Sequence, residues 1–141
     1  MKEVKILIKY KSLHHVSLTV TDLERANDFY RRILCLKEVA RPDFDFPGAW
    51  FEIDGQQIHL IVDPSSQTIR QDKSLSSREG HFALRVVNYY DTLNWLKQNE
   101  VEILENPNGK SGFAQIFCGD PDGNLIELNV EQKDLKVETN S

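Results

Sequence analysis

The chain has 141 residues, 40% hydrophobic and 28% charged, which suits one domain with a real core, or two half-size modules sharing it. A formal net charge of -5 argues against nucleic acid and anionic membrane surfaces, which select a basic face, and leaves small molecules as the expected partners. No apolar run approaches the ~20 residues of a membrane-spanning helix, and the N-terminus alternates lysine with aliphatics where a signal peptide would be unbroken, so a cytoplasmic location is expected.

Residues 2–11 place Val4, Ile6, Ile8 and Tyr10 on one side and mostly Lys on the other, which predicts an additional half-buried N-terminal strand. From Leu13 to Val20 the alternation is clear, with Val16, Leu18 and Val20 facing a core and His15, Ser17 and Thr19 facing away. Thr21 and Glu24 match a capping box, which starts a helix that carries Leu23, Ala26, Phe29 or Tyr30, and Ile33 as an apolar stripe to about Leu34. Strands are expected around Leu36 to Ala40, Ala49 to Ile53 and Gln57 to Val62, the last two joined by an Asp54-Gly55 turn. The first module is thus βαβββ over 13–62.

Residues 63–79 are polar and follow neither period, so they read as the surface connection. The second module, 80–130, repeats the order. A strand covers His81 to Val86, Asn88 caps a helix running through Asn99, and strands fall near Val101 to Leu104, Phe113 to Cys118 and Leu125 to Val130, with Asp120-Pro-Asp-Gly123 as the last turn. The charged tail, 131–141, is expected to fray. Cys35 and Cys118 are too isolated for a disulfide scaffold or a zinc knuckle and read as buried free thiols.

The repetition is also visible residue by residue. His15-Val-Ser-Leu-Thr-Val20 returns 66 residues later as His81-Phe-Ala-Leu-Arg-Val86, and Asp54-Gly-Gln-Gln-Ile-His-Leu60 returns 68 later as Asp122-Gly-Asn-Leu-Ile-Glu-Leu128. Strand parity turns His15, His59, His81 and Glu127 away from the apolar faces. Two sheets related by a pseudo-two-fold axis and curled into a cup would bring these four together. Three imidazoles and one carboxylate are a normal ligand set for a divalent transition ion, with a position left open for water or substrate. Around them, Trp50 pairs opposite His59 by counting from the hairpin. Arg85 shares the face of His81 and reads either as a clamp for a substrate anion or as an ion-paired strand residue. Trp50 and Phe113 read either as pocket wall or as core, and His59 either as ligand or as pocket lining. His14 has no counterpart in the second copy, where residue 80 is Gly, and reads as structural.

His15-x-x-Leu-x-Val-x-Asp-Leu followed by Phe29-Tyr30, then Ile58-His59-Leu60, Gly80-His81-Phe-Ala-Leu84 and Asp120-Pro-Asp-Gly-Asn-Leu-Ile-Glu-Leu128, resembles the vicinal oxygen chelate superfamily over about Leu13 to Val130. Its members include glyoxalase I, fosfomycin-resistance thiol transferases, extradiol dioxygenases, methylmalonyl-CoA epimerase and bleomycin-resistance proteins. The resemblance implies an α+β fold in which two paired βαβββ modules form an open eight-stranded cup. It also implies a divalent ion (Ni, Zn, Mn, Co or Fe) and a small substrate, thiol adducts included, that binds the ion through adjacent oxygens. A homodimer is implied too. His15, His81 and Glu127 match family ligand positions, and His59 stands where glyoxalase I carries a metal-bound glutamate, so Glu127 and His59 are the expected bases. The implied function is a metal-dependent enzyme of the isomerase, lyase or transferase type. The alternatives are an extradiol-type dioxygenase and a drug-sequestering protein like those of bleomycin resistance.

Overall fold

In the computed structural model, which describes residues 3–5 and 7–135, one βαβββ order occurs twice. The first copy is β1 (His15–Val20), α1 (Leu23–Asn27, continuing as a π-helical turn over Asp28–Ile33), β2 (Lys37–Val39), β3 (Gly48–Ile53) and β4 (Gln56–Val62). The second is β5 (Phe82–Arg85), α2 (Tyr89–Gln98), β6 (Leu104–Asn106), β7 (Phe113–Gly119) and β8 (Leu125–Glu131). Each copy folds into its own four-stranded sheet, ordered β1-β4-β3-β2 and β5-β8-β7-β6, in which the first and last strands of the copy run parallel and the other pairs antiparallel. None of the described helices is long and apolar enough to cross a membrane.

Both sheets turn their aliphatic faces into one shared core. Val20, Tyr30, Phe51 and Leu60 from the first copy are fully buried in the same cluster as Ile116 and Ile126 from the second. Strand alternation sets this arrangement, because Val16 and Leu18 pack on the core while His15 and Ser17 are exposed. Polar contacts then fasten the copies together. The Tyr30 hydroxyl donates to Asp120 at 2.7 Å, the Trp95 indole donates to the Ile33 carbonyl at 2.7 Å, and Asn124 donates to the Thr19 carbonyl at 3.0 Å. Burial raises the Asp120 carboxyl above its usual range, against the opposing pull of donors from Asn124, Tyr30 and the Asp122 amide.

The structure departs from the sequence expectations at several points. The cap of α1 is Asp22, whose carboxylate accepts from the Arg25 amide at 2.8 Å. Thr21 is drawn instead to Asp122, to which its amide donates at 3.0 Å and its hydroxyl at 2.6 Å. The expected N-terminal strand does not form over 3–5 and 7–11: Val4 is 89%, Ile8 65% and Tyr10 85% exposed, and no strand edge of the same chain receives the segment. Lys2 and Ile6 lie outside the described residues. The strand expected at Val101 to Leu104 begins at Leu104: the Val101 amide donates to the Leu96 carbonyl at 3.0 Å at the end of α2, and Val101 and Ile103 pack on the core ahead of the ladder. The chain continues from Glu131, the last residue of β8, into a 3-10 turn over Gln132–Asp134; 136–141 lie outside the described residues. Cys118 is buried, whereas Cys35 is exposed. It ends the first helix in the left-handed conformation at φ 59°, the place Glu100 takes after α2 at φ 57°.

Candidate metal and substrate site

On the first sheet the polar face carries a row of rings. Trp50 on β3 pairs with His59 on β4, as the hairpin count requires, and their rings stack at 4.0 Å with an interplanar angle of 5°. His15 on β1 extends the stack, 4.1 Å and 17° from His59, and His14 closes it edge-on with the two Nδ1 atoms 2.8 Å apart. His59 is 8% exposed and places Nε2 2.7 Å from Gln57 Oε1. An amide oxygen only accepts, so Nε2 carries the proton and the neutral ring keeps its lone pair on Nδ1. Burial holds His59 below the usual histidine range, with lesser contributions from His15, His14 and the Arg41 charge.

The second sheet repeats the row with different chemistry. Phe117 on β7 faces Glu127 on β8, and His81, just before β5, packs edge-on to Phe117 at 5.3 Å. His81 Nδ1 lies 2.8 Å from the Glu79 carbonyl oxygen, which can only accept, so the ring proton is fixed there. Nε2 then faces Glu127 Oε1 at 3.0 Å. In the neutral ring, two lone-pair donors converge on one point, and a proton or a cation between them relieves the repulsion. An imidazole that donates its other nitrogen to a backbone carbonyl is also the usual support of a metal-bound histidine. This donor set therefore suits a divalent ion.

Glu127 is 4% exposed, and among the described residues no Lys or Arg pairs with it. Neutral amides hold it instead, with Gln115 donating to Oε1 at 3.0 Å and Asn129 to Oε2 at 2.6 Å. A buried carboxylate without a cation is costly, and two amides offset only part of that cost. Arg85 does not reach Glu127 directly. Its Nε donates to Asn129 Oδ1 at 2.6 Å, Nη1 donates to Glu131 at 3.2 Å, and the guanidinium lies 5.2 Å from the Phe113 ring. The chain Arg85, Asn129, Glu127 thus fixes the carboxylate. Gln57, Gln115, Asn129 and Phe117 were missed in the sequence, although counting by twos from His59 and Glu127 puts Gln57 and Asn129 on the polar faces.

The expected ligands are thus joined in pairs, His15 with His59 and His81 with Glu127. Among the described residues no three His, Cys, Asp or Glu side chains come together as a metal set. β1 and β5 are both sheet edges, and they border a cleft of about 620 Å³ lined by His15, Gln57, His81 and Arg85. Each edge leaves backbone donors and acceptors without a ladder partner.

Comparison with known proteins agrees with this architecture. Residues 12–128 match the model of the glyoxalase/bleomycin resistance protein/dioxygenase superfamily. The chain is 28% identical over 120 residues to the metallothiol transferase FosB of Staphylococcus haemolyticus, covering 84% of this chain and 83% of that protein. It is 28% identical over 127 residues to lactoylglutathione lyase of Escherichia coli O157:H7, covering 86% and 93%. Among solved structures, a glyoxalase-family protein from Bacillus anthracis superposes with a TM-score of 0.75 at 22% identity, covering 89% of this chain and 99% of that one.

Proposed function

The chain belongs to the glyoxalase/bleomycin resistance protein/dioxygenase superfamily, and from that premise we propose that it is a metal-dependent enzyme of the lyase, isomerase or transferase type. Its substrate is a small molecule that presents adjacent oxygens to a divalent ion. The observation that carries this reading is the convergence of His81 Nε2 and Glu127 Oε1 at 3.0 Å, with the His81 proton held on the far side by Glu79. His81 and Glu127 hold the ion together with His15, and His59 offers its Nδ1 lone pair as a fourth donor or as a base. When bound, the ion acts as a Lewis acid that stabilises oxyanion character on the substrate.

The chain's own residues supply the rest. Gln115 and Asn129 keep both Glu127 oxygens in hydrogen bonds, and Asn129 is in turn fixed by Arg85. On the other sheet Trp50 and His15 clamp the His59 ring, so the unprotonated nitrogen has one orientation from which to accept a substrate proton. Trp50 and Phe113 are assigned to the walls of the cup. The full ligand set is completed in a homodimer, in which the β1 face of one copy meets the β5 face of the other. The separate pairing of the ligands and the two open strand edges support this assembly.

Elemental analysis of the purified protein before and after chelation tests the reading. One divalent ion per site is expected, and it should be lost in His15→Ala and in His81→Ala while the circular dichroism spectrum stays unchanged. A protein that binds no ion under any loading condition would overturn it. With metal bound, turnover is then sought with glutathione or bacillithiol adducts of methylglyoxal and with fosfomycin plus a thiol.

A further inference from the structure

We propose that Arg41 is the oxyanion receptor of this cup, so that the substrate carries a carboxylate, phosphonate or phosphate group beyond its metal-binding oxygens. The inference deepens the function proposed above and rests on that site. Arg41 lies in the connection between β2 and β3, and its guanidinium is held without being neutralised. Nη2 donates to the Phe46 carbonyl at 2.7 Å, and Cζ sits 4.9 Å from the Phe44 ring centre and 5.0 Å from that of Phe46. The two rings are themselves stacked, 5.1 Å apart at 9°. Aromatic faces orient a guanidinium and leave its charge available.

Its position relative to the ring stack follows from Gly48. A side-chain carbon there would come within 2.9 Å of Arg41 Nη2 and 3.0 Å of Nε, so the guanidinium rests against this glycine. Gly48 is two residues from Trp50 and pairs with Ile61, two residues from His59. Gly48 thus lies one row from the Trp50–His59 pair at the end of the sheet, where Arg41 lines a pocket with Leu23, Phe44 and Phe46. Phe44, 6.2 Å from Trp50 and 42% exposed, continues the aromatic wall from Arg41 to the stack.

Arg41 is only partly exposed, yet among the described residues no carboxylate lies within ion-pairing distance of it, although Asp43 and Asp45 are its near neighbours in sequence. Arg85 differs, since Glu131 neutralises it. A guanidinium has five N–H donors in a fork that matches two oxygens of one oxyanion, and Phe46 takes only one of them. A half-buried cation with free donors, joined to the Trp50–His59 stack through Phe44, is chemically complete once an anion enters.

The test is calorimetric titration of the full-length protein, as purified and after dialysis against chelator, with benzoate, phenylphosphonate and the neutral benzamide. The wild-type protein should prefer both anions to benzamide in either state. Arg41→Gln should weaken both anions about 10- to 100-fold, the scale of lost charge-assisted hydrogen bonds, and leave benzamide unchanged. Arg41→Lys keeps the charge without the fork and should show a smaller loss, again confined to the anions. If Arg41→Gln does not fold, the same comparison is made with Arg41→Lys. A loss equal for benzamide and benzoate assigns Arg41 to holding the loop and overturns the proposal. Anion preference that survives substitution, or that disappears from the wild type on chelation, also overturns it. Protein that never binds metal but shows the Arg41-dependent preference would sink the metalloenzyme reading and leave this one standing.

Discussion

At His81 the backbone chooses the chemistry, because the Glu79 carbonyl fixes the proton on Nδ1 and so presents Nε2 to Glu127. Partners of this kind govern how well a ligand is aimed. Asn129→Ala frees one oxygen of Glu127 and breaks the link to Arg85, so metal affinity should fall about 10- to 100-fold in a competition titration against a chelating dye. The thiols give an independent check on burial. Burial, with a smaller contribution from Asp120, pushes the Cys118 thiol from 9.0 up to about 12, whereas Cys35 is exposed. One thiol should therefore react with Ellman's reagent at pH 8 in native protein and two in denaturant. Because the folded-state value is raised, Cys118 contributes stability that is fully present below pH 9.0 and lost as pH rises toward 12. Cys118→Ala should remove that share of the alkaline decline in melting temperature. Which residues face the cup was legible from strand parity and the repeat, since both act on neighbouring positions. Cys35 was not, because its exposure is decided by a left-handed residue at a helix end.

The start of α1 shows how a distant partner overrides a local motif. Thr21 and Glu24 have capping-box spacing, but Asp122, a hundred residues away in sequence, takes both the amide and the hydroxyl of Thr21, and Asp22 caps the helix. The two assignments differ measurably. Asp22→Ala should cost about 0.5–2 kcal/mol in denaturant unfolding, the usual loss for an N-cap, whereas a Thr21 cap would make the change nearly neutral. The second helix needed no correction, because Asn88 accepts from the Asp91 amide at 3.0 Å and has no competitor from the other copy. Strand existence was likewise legible from alternation, which each segment carries within itself. The N-terminal segment has the same alternation and forms no strand. A ladder needs a second edge as well as a pattern, and residues 3–5 and 7–11 are received by none of the open edges of this chain.

At the scale of the molecule, doubling explains both the shared core and the divided ligands. Each copy buries its apolar face in the common interior and is left with a polar face bearing half of the proposed donor set, His15 with His59 or His81 with Glu127. Repetition made the fold legible in the sequence but not the pairing of polar faces, which depends on whether β1 meets β5 of its own chain or of a second copy. Mixing variants separates these cases. If the site is shared between two chains, a dimer of one His15→Ala and one His81→Ala chain has one site in which both defects meet and one in which neither is present. Unfolding the two variants together and refolding them should restore metal to about a quarter of the sites, the share expected when half of the dimers are mixed and each mixed dimer has one intact site. A cup closed within each chain restores none, since every chain keeps its own defect. Atomic absorption on the refolded mixture, with each variant refolded alone as the control, therefore decides which surfaces of this molecule meet.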